Sequence, residues 1–274
     1  MIHFPTLSGP AANPPFPTLS QLDRQHSRLF GQLASGNALT SAAVDPAAVA
    51  VAETLTSQVN GLGQAQNNIG DALSLLNTAA GALSSQQDVL QQQRTLAVQA
   101  GDAALAPNDL SIIQGQVQQL SQGLDQTGQQ TQFNGIALLN GTAGTLQVQS
   151  GANAGQQTAL NLPTSTGQAL GIASVDLTTG AGQQAGLTQL DQAIQSSSSS
   201  QATIGAAENG LQSDQNNAAI NEQNQASARS LMADANIAQA ATQLSASLLQ
   251  QRFSLFALQQ QAGTFALTGA LLGA

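Results

Sequence analysis

The sequence has 274 residues, a formal net charge of -9 and only 7% charged side chains, against roughly 25% in an ordinary soluble protein. Lysine is absent, and the basic residues are Arg24, Arg28, Arg94, Arg229 and Arg252, so the clustered cations that nucleic acid requires are missing. With no cysteine, and with His3 and His26 as the only histidines, there is no spacing for a metal centre or for a serine–histidine–acid triad. No catalytic, cofactor-binding or metal-ligating residue is expected. Amides and hydroxyls form the polar surface instead, and because they do not titrate, contacts built from them would persist at low pH.

Prolines at 5, 10, 14, 15 and 17 predict an extended or irregular arm, since proline lacks the amide hydrogen and clashes with a preceding helical turn. The arm has neither the basic start nor the apolar run of a secretory signal, and no segment is long and apolar enough for a membrane span. A short helix is expected from Ser20 through Leu22, Leu29, Phe30 and Leu33 to Gly36. The longest pattern follows. Leu55, Leu62, Ile69, Leu76, Leu83, Leu90 and Ala97 recur every seventh residue, with Val59, Leu73 and Ala80 on a second line. Such spacing predicts a long helix packed lengthwise against others. Gly101 and Pro107 mark its end.

A second helix is expected from Asp109 through Leu110, Ile113, Val117, Leu120 and Leu124, ending before Phe133. Residues 136–180 then read as two or three strands of a small hairpin region, drawn from the short β pieces Leu146 to Val148, Ala159 to Leu162 and Val175 to Leu177, separated by turn residues. Asn140-Gly141-Thr142 fits a glycosylation pattern and also a turn; the turn is the expectation. Helix resumes near Gly186, carries Leu190, Ser197, Ile204, Leu211 and Ala218 on one line, and is expected to continue to the C-terminus either unbroken or with an interruption.

The last forty-odd residues form an almost charge-free stripe. Ile237, Leu244 and Leu258 share one line, Ala241, Leu248, Leu255 and Ala262 the next, and Leu249, Phe253 and Phe256 widen it. No internal partner for it is evident, and a solvated apolar patch of this size associates. Leu244, Leu248, Leu249, Phe253, Leu255 and Phe256 are therefore the candidate assembly contacts, with Arg94 and Arg229 as candidate polar ones.

Several segments carry a family resemblance in their order along the chain. Gly61 to Ala100 is similar to the first long core helix of bacterial flagellins, and Thr131-Gln132-Phe133-Asn134-Gly135 to the turn after their second helix. Gln149 to Leu162 resembles their β-hairpin, and Ser227-Ala228-Arg229-Ser230 with Asp234 and Leu248 to Gln251 the entry to their carboxy-terminal helix. The resemblance implies a subunit that self-assembles into the extracellular flagellar filament for motility, exported without a cleaved signal. It further implies copies of itself, an export chaperone, a cap and junction proteins as partners, and neither nucleic acid nor membrane insertion. Departures are the proline-rich start and Val44-Asp45-Pro46, where the family carries paired acids. Asp45-Pro46 and the ending Leu271-Leu272 resemble the hook–filament junction protein.

The expected fold is mainly α: a long antiparallel helical bundle or coiled coil with a small β-hairpin insert. Residues 1–45 would be the arm and short helix, 46–235 the long-helix core with its insert at 136–180, and 236–274 the C-terminal helix. Two other readings stand beside the filament subunit. One is the junction protein; the other is a secreted helical adhesin or translocator-type binding module.

Overall fold

A computed structural model describes residues 19–39 and 45–272, less the side chains of 261–262 and 264–272. The proline arm, Val44 and the side chains of Ala262, Leu271 and Leu272 lie outside the described residues. Five helices and two small hairpins follow in the order α1 (Leu19–Ser35), α2 (Pro46–Ala100), α3 (Pro107–Gln130), β1 (Gln132–Phe133), β2 (Ile136–Ala137), β3 (Thr145–Gln149), β4 (Gln157–Asn161), α4 (Gly180–Ala233) and α5 (Ile237–Leu272). The expected class, a helical bundle with a small β insert, is the one observed.

Local chemistry sets the helix ends. Asp45 Oδ1 accepts the Ala48 amide at 2.9 Å and Pro46 opens α2, so the Asp-Pro pair is a cap followed by a residue with no amide to leave unpaired. Gly36 closes α1 at φ 68°, a left-handed conformation that suits glycine. Thr179 Oγ1 accepts the Gly182 amide at 3.1 Å at the start of α4, and Asn236 Oδ1 accepts the Gln239 amide at 3.1 Å at the start of α5.

The chain divides into two compact units, one of residues 57–225 and one of 1–56 with 226–274. In the first, α2 and α4 run antiparallel: Arg94 meets Asp191, Gln201 donates to the Leu83 carbonyl, and Gln66 donates to Glu222. One apolar cluster joins Leu90 and Ala97 of α2 to Ile113, Val117 and Leu124 of α3 and Leu190 and Ala193 of α4, with Leu170, Ile172, Val175 and Leu177 between them. Another joins Ile69, Leu76 and Leu83 to Leu138, Leu139, Leu160, Ile204 and Leu211. The heptad line expected from Leu55 to Ala97 is buried from Leu62 onward, with Leu55 only half-buried, and the line from Leu190 to Ala218 is buried throughout, Ser197 included. Each large apolar side chain so buried stabilises the fold by about 1.5–3 kcal/mol.

The second line of α2 differs from expectation. Val59, Leu73 and Ala80 are only half-buried, and the fully covered line is Ala65, Ala72, Ala79, Gln86, Gln93 and Ala100. Small residues there let neighbouring backbone approach, and the glutamines reach it. Gln86 Nε2 donates to the Leu124 and Ser165 carbonyls at 3.1 and 2.9 Å, while its Oε1 accepts the Ser165 hydroxyl at 2.6 Å. Gly128 fits under the same contact, because a Cβ there would lie 2.3 Å from the Ser165 carbonyl oxygen.

The insert holds two antiparallel hairpins. β1 and β2 pair around Asn134-Gly135, both at positive φ (49° and 81°), the geometry of a tight primed turn. β3 and β4 pair from Thr145 opposite Asn161 to Gln149 opposite Gln157. The strand expected at Val175 to Leu177 is absent. Both side chains enter the core, but Gln114 supplies the hydrogen bonds that a neighbouring strand would have made, donating to the Val175 carbonyl at 2.8 Å and accepting the Leu177 amide at 2.7 Å. Helix is also not continuous to the C-terminus: it stops between Ala233 and Ile237.

Candidate assembly surface

In the unit formed by the two chain ends, α1 packs along α5. The pair is pinned where helix is interrupted. Asn37 bridges Asp234, the Ala38 amide donates to the Ala233 carbonyl at 2.7 Å, and the Ala235 amide donates to the Gly36 carbonyl at 2.9 Å. Towards the other end Gln251 Nε2 donates to Asp23 Oδ1 at 3.0 Å, so the helices are antiparallel. Leu22 and Leu29 of α1 are fully covered. On α5 the covered or half-covered positions are Ala240, Leu244, Ser247, Gln251 and Ser254, alternating in steps of four and three along one seam.

This seam corrects the expectation that the last helix has no internal partner. It has one, but meets it through small and polar residues. Of the six expected contact residues, only Leu244 joins the seam. Leu249, Phe253 and Phe256 stand at steps of four and three on the opposite face and are 56%, 70% and 63% exposed. Leu248 and Leu255 lie on a flank of the helix, half exposed. The seam positions Ala240, Ser247 and Ser254 recur every seventh residue, so the signal is present in the sequence; their small side chains, two of them polar, hide it from a search for apolar lines.

The two candidate arginines fall elsewhere. Arg94 lies on the exposed surface of the other unit, where its Nε donates to Asp191 Oδ1 at 2.6 Å, the one ion pair among the described residues. That hydrogen bond first, and the charge of Asp191 second, push the guanidinium pKa up. Arg229 is half-buried beside a small cavity that Glu53 and Asp234 also line. Within the unit of the chain ends, Arg229 sits near the end of α4 and not on α5.

A groove of about 940 Å³ runs along α3 beside residues 166–178, lined by amides, hydroxyls and the carboxylates Asp125 and Asp176. Asp176 Oδ1 accepts the Thr178 hydroxyl at 2.6 Å and the Thr178 amide at 2.9 Å, which hold its pKa below the ordinary aspartate value. Among the described residues no group of histidine and acid side chains could hold a metal ion, and no helix is long and apolar enough to cross a membrane.

The geometry defines a helical structural protein with a large apolar face turned outward. Comparison with known proteins gives the family. Residues 17–144 match the bacterial flagellin N-terminal helical region. The flagellin of Bacillus subtilis strain 168 is 30% identical over 258 residues, covering 81% of this chain and 85% of that one. The flagellin of Halalkalibacterium halodurans is 29% identical over 190 residues, 69% and 70% of the two chains. Flagellin 1 of Proteus mirabilis is 33% identical over 143 residues, of which the match spans only 39% of the longer relative. The crystal structure of Bacillus cereus flagellin superposes with a TM-score of 0.51 at 30% identity, over 56% of this chain and 88% of that one. The chain belongs to the bacterial flagellin family, the structural subunits of the extracellular flagellar filament.

Proposed function

We propose that this chain polymerises through the outer face of α5, with Leu248, Leu249, Phe253, Leu255 and Phe256 buried against neighbouring copies. Leu244 acts within the subunit instead, holding α5 on α1. The observation that carries this reading is the exposure of Leu249, Phe253 and Phe256 on the side away from α1. Covering one such side chain yields about 1.5–3 kcal/mol, so a handful repeated at every subunit makes a durable polymer.

In this reading the two chain ends belong to the inner region of the filament. The subunit is exported without a cleaved signal, and an export chaperone, a cap and junction proteins are its partners before assembly. It carries out no catalysis. Arg94 serves the subunit's own surface rather than a contact, and Arg229 lines a cavity at the end of α4.

Negative-stain electron microscopy of the concentrated protein tests the proposal, with Leu248→Asp/Phe253→Asp alongside. Intact chain should form long uniform filaments, whereas the double variant should stay monomeric with unchanged helical circular dichroism. Normal filaments from the variant would overturn the assignment. Short rings from the intact chain would favour the junction role.

A further inference from the structure

Four Asn-Gly pairs occur in the chain, at Asn60, Asn134, Asn140 and Asn209. An asparagine followed by glycine is chemically labile, because no side chain on the next residue hinders ring closure by its amide nitrogen. Whether closure occurs depends on the fold: the glycine amide must be free of a hydrogen bond, and the backbone must be able to turn it towards the side chain.

Three of the four pairs are protected. Asn60-Gly61 and Asn209-Gly210 lie inside α2 and α4, where each glycine amide belongs to the helical ladder. Gly61 is further clamped, since a Cβ there would stand 2.9 Å from that of Ala152. The Asn140 side chain is held by its oxygen, which accepts both the amide and the hydroxyl of Thr142 at 3.0 and 2.6 Å. Asn134 differs from all of them. It is exposed, its side chain bonds to no described residue, and it sits at φ 49° in the turn of a hairpin whose strands have only two residues each. So short a hairpin opens locally at small free-energy cost.

We propose that Asn134 is a self-modifying site at which the side-chain amide is converted to a carboxylate without an enzyme. The Gly135 nitrogen, deprotonated by hydroxide, attacks Asn134 Cγ. A bond forms between them, the bond from Cγ to the amide nitrogen breaks, and that nitrogen leaves as ammonia after taking up a proton. Water then opens the cyclic imide at either carbonyl. Opening at Cγ gives aspartate; opening at the main-chain carbonyl gives isoaspartate, with the backbone rerouted through Cγ. The net change is one water consumed and one ammonia released, with no oxidant or reductant.

The new charge has a defined setting. Asn134 lines a groove of about 840 Å³ with Phe133, Ile136, Leu146 and Val148, in which Asp71 also stands. Conversion therefore places a second carboxylate in a groove that is otherwise largely apolar, and like charges in such a setting repel. A protein built to persist outside the cell accumulates this mark with age.

Peptide mapping by mass spectrometry tests the site. The whole folded chain is held in mildly alkaline buffer and sampled over time, in parallel with the chain unfolded in urea and with Asn134→Gln. In the folded chain, acid should appear at 134 several-fold faster than at 60, 140 or 209, as a mixture of aspartate and isoaspartate, at a rate proportional to hydroxide. In urea the four sites should converge, and Asn134→Gln should leave position 134 an amide. Retention of the amide at 134, or earlier conversion at any of the other three, would overturn the proposal.

Discussion

Helices α2 and α5 carry the same kind of apolar repeat and meet opposite fates. In α2 the line Ile69, Leu76, Leu83 and Leu90 is wholly covered, because α3, α4 and the insert surround it. In α5 the comparable line Leu248 and Leu255 is half exposed, and the aromatic side chains beside it more so. The seventeen residues of α1 offer α5 one narrow strip, and that strip is filled by Ala240, Leu244, Ser247, Gln251 and Ser254. A seven-residue repeat thus specifies that a helix will pack lengthwise. It does not specify whether the partner is in the same chain.

Substitutions sharpen this contrast, ranked by their effect on the isolated chain. Leu83→Ala should lower stability by about 2–5 kcal/mol in urea unfolding, the cost of a cavity in a closed core. Gln86→Leu keeps the volume but leaves the Leu124 and Ser165 carbonyls and the Ser165 hydroxyl without their partner, at about 1–3 kcal/mol. Phe256→Ala should move monomer stability by no more than about 0.5 kcal/mol. The same change should raise the concentration needed for assembly about tenfold or more, since each 1.4 kcal/mol of lost contact is a factor of ten. A monomer as sensitive at Phe256 as at Leu83 would erase the distinction between the two helices.

The smallest expected effect lies at Asp176. Its folded-state pKa is lowered, so the stability it contributes is present above the ordinary aspartate pKa and is lost as pH falls through the folded value. Thr178→Val removes the hydroxyl donor, which is the larger cause, and keeps the amide. The carboxyl should then titrate at higher pH in an NMR experiment, and the loss in acid should begin earlier. An unmoved titration would assign the effect to something other than the hydroxyl.

Much of the fold is legible in the sequence wherever apolar side chains mark the covered face. The lines from Leu62 to Ala97 and from Leu190 to Ala218, the break at Gly101 and Pro107, and the β3–β4 hairpin are all visible there. What escapes is covered polarity. Gln86 and Gln93 read as surface residues, yet they are buried because backbone carbonyls on α3 and near Ser165 accept their amides. Val175 to Leu177 reads as a strand since its side chains alternate correctly, and only a side chain 61 to 63 residues away in sequence, Gln114, replaces the missing neighbour. The proposed assembly face is visible as composition. Its division into an inner seam and an outer face is not, because that depends on where α1 lies.

The paired glutamine clasps bear on how the molecule comes apart. Residues 163–179 form a long irregular connection of the kind that proteases usually enter first. Here Gln86 ties that connection to α2 and α3 at Ser165, and Gln114 ties it to α3 at Val175 and Leu177. Fraying this stretch alone would strip partners from side-chain amides inside the bundle, so it is bound into the cooperative unit instead of peeling away from it. Cleavage there should therefore keep time with opening of the whole bundle, and a protease added to the intact protein would act as a clock for global unfolding.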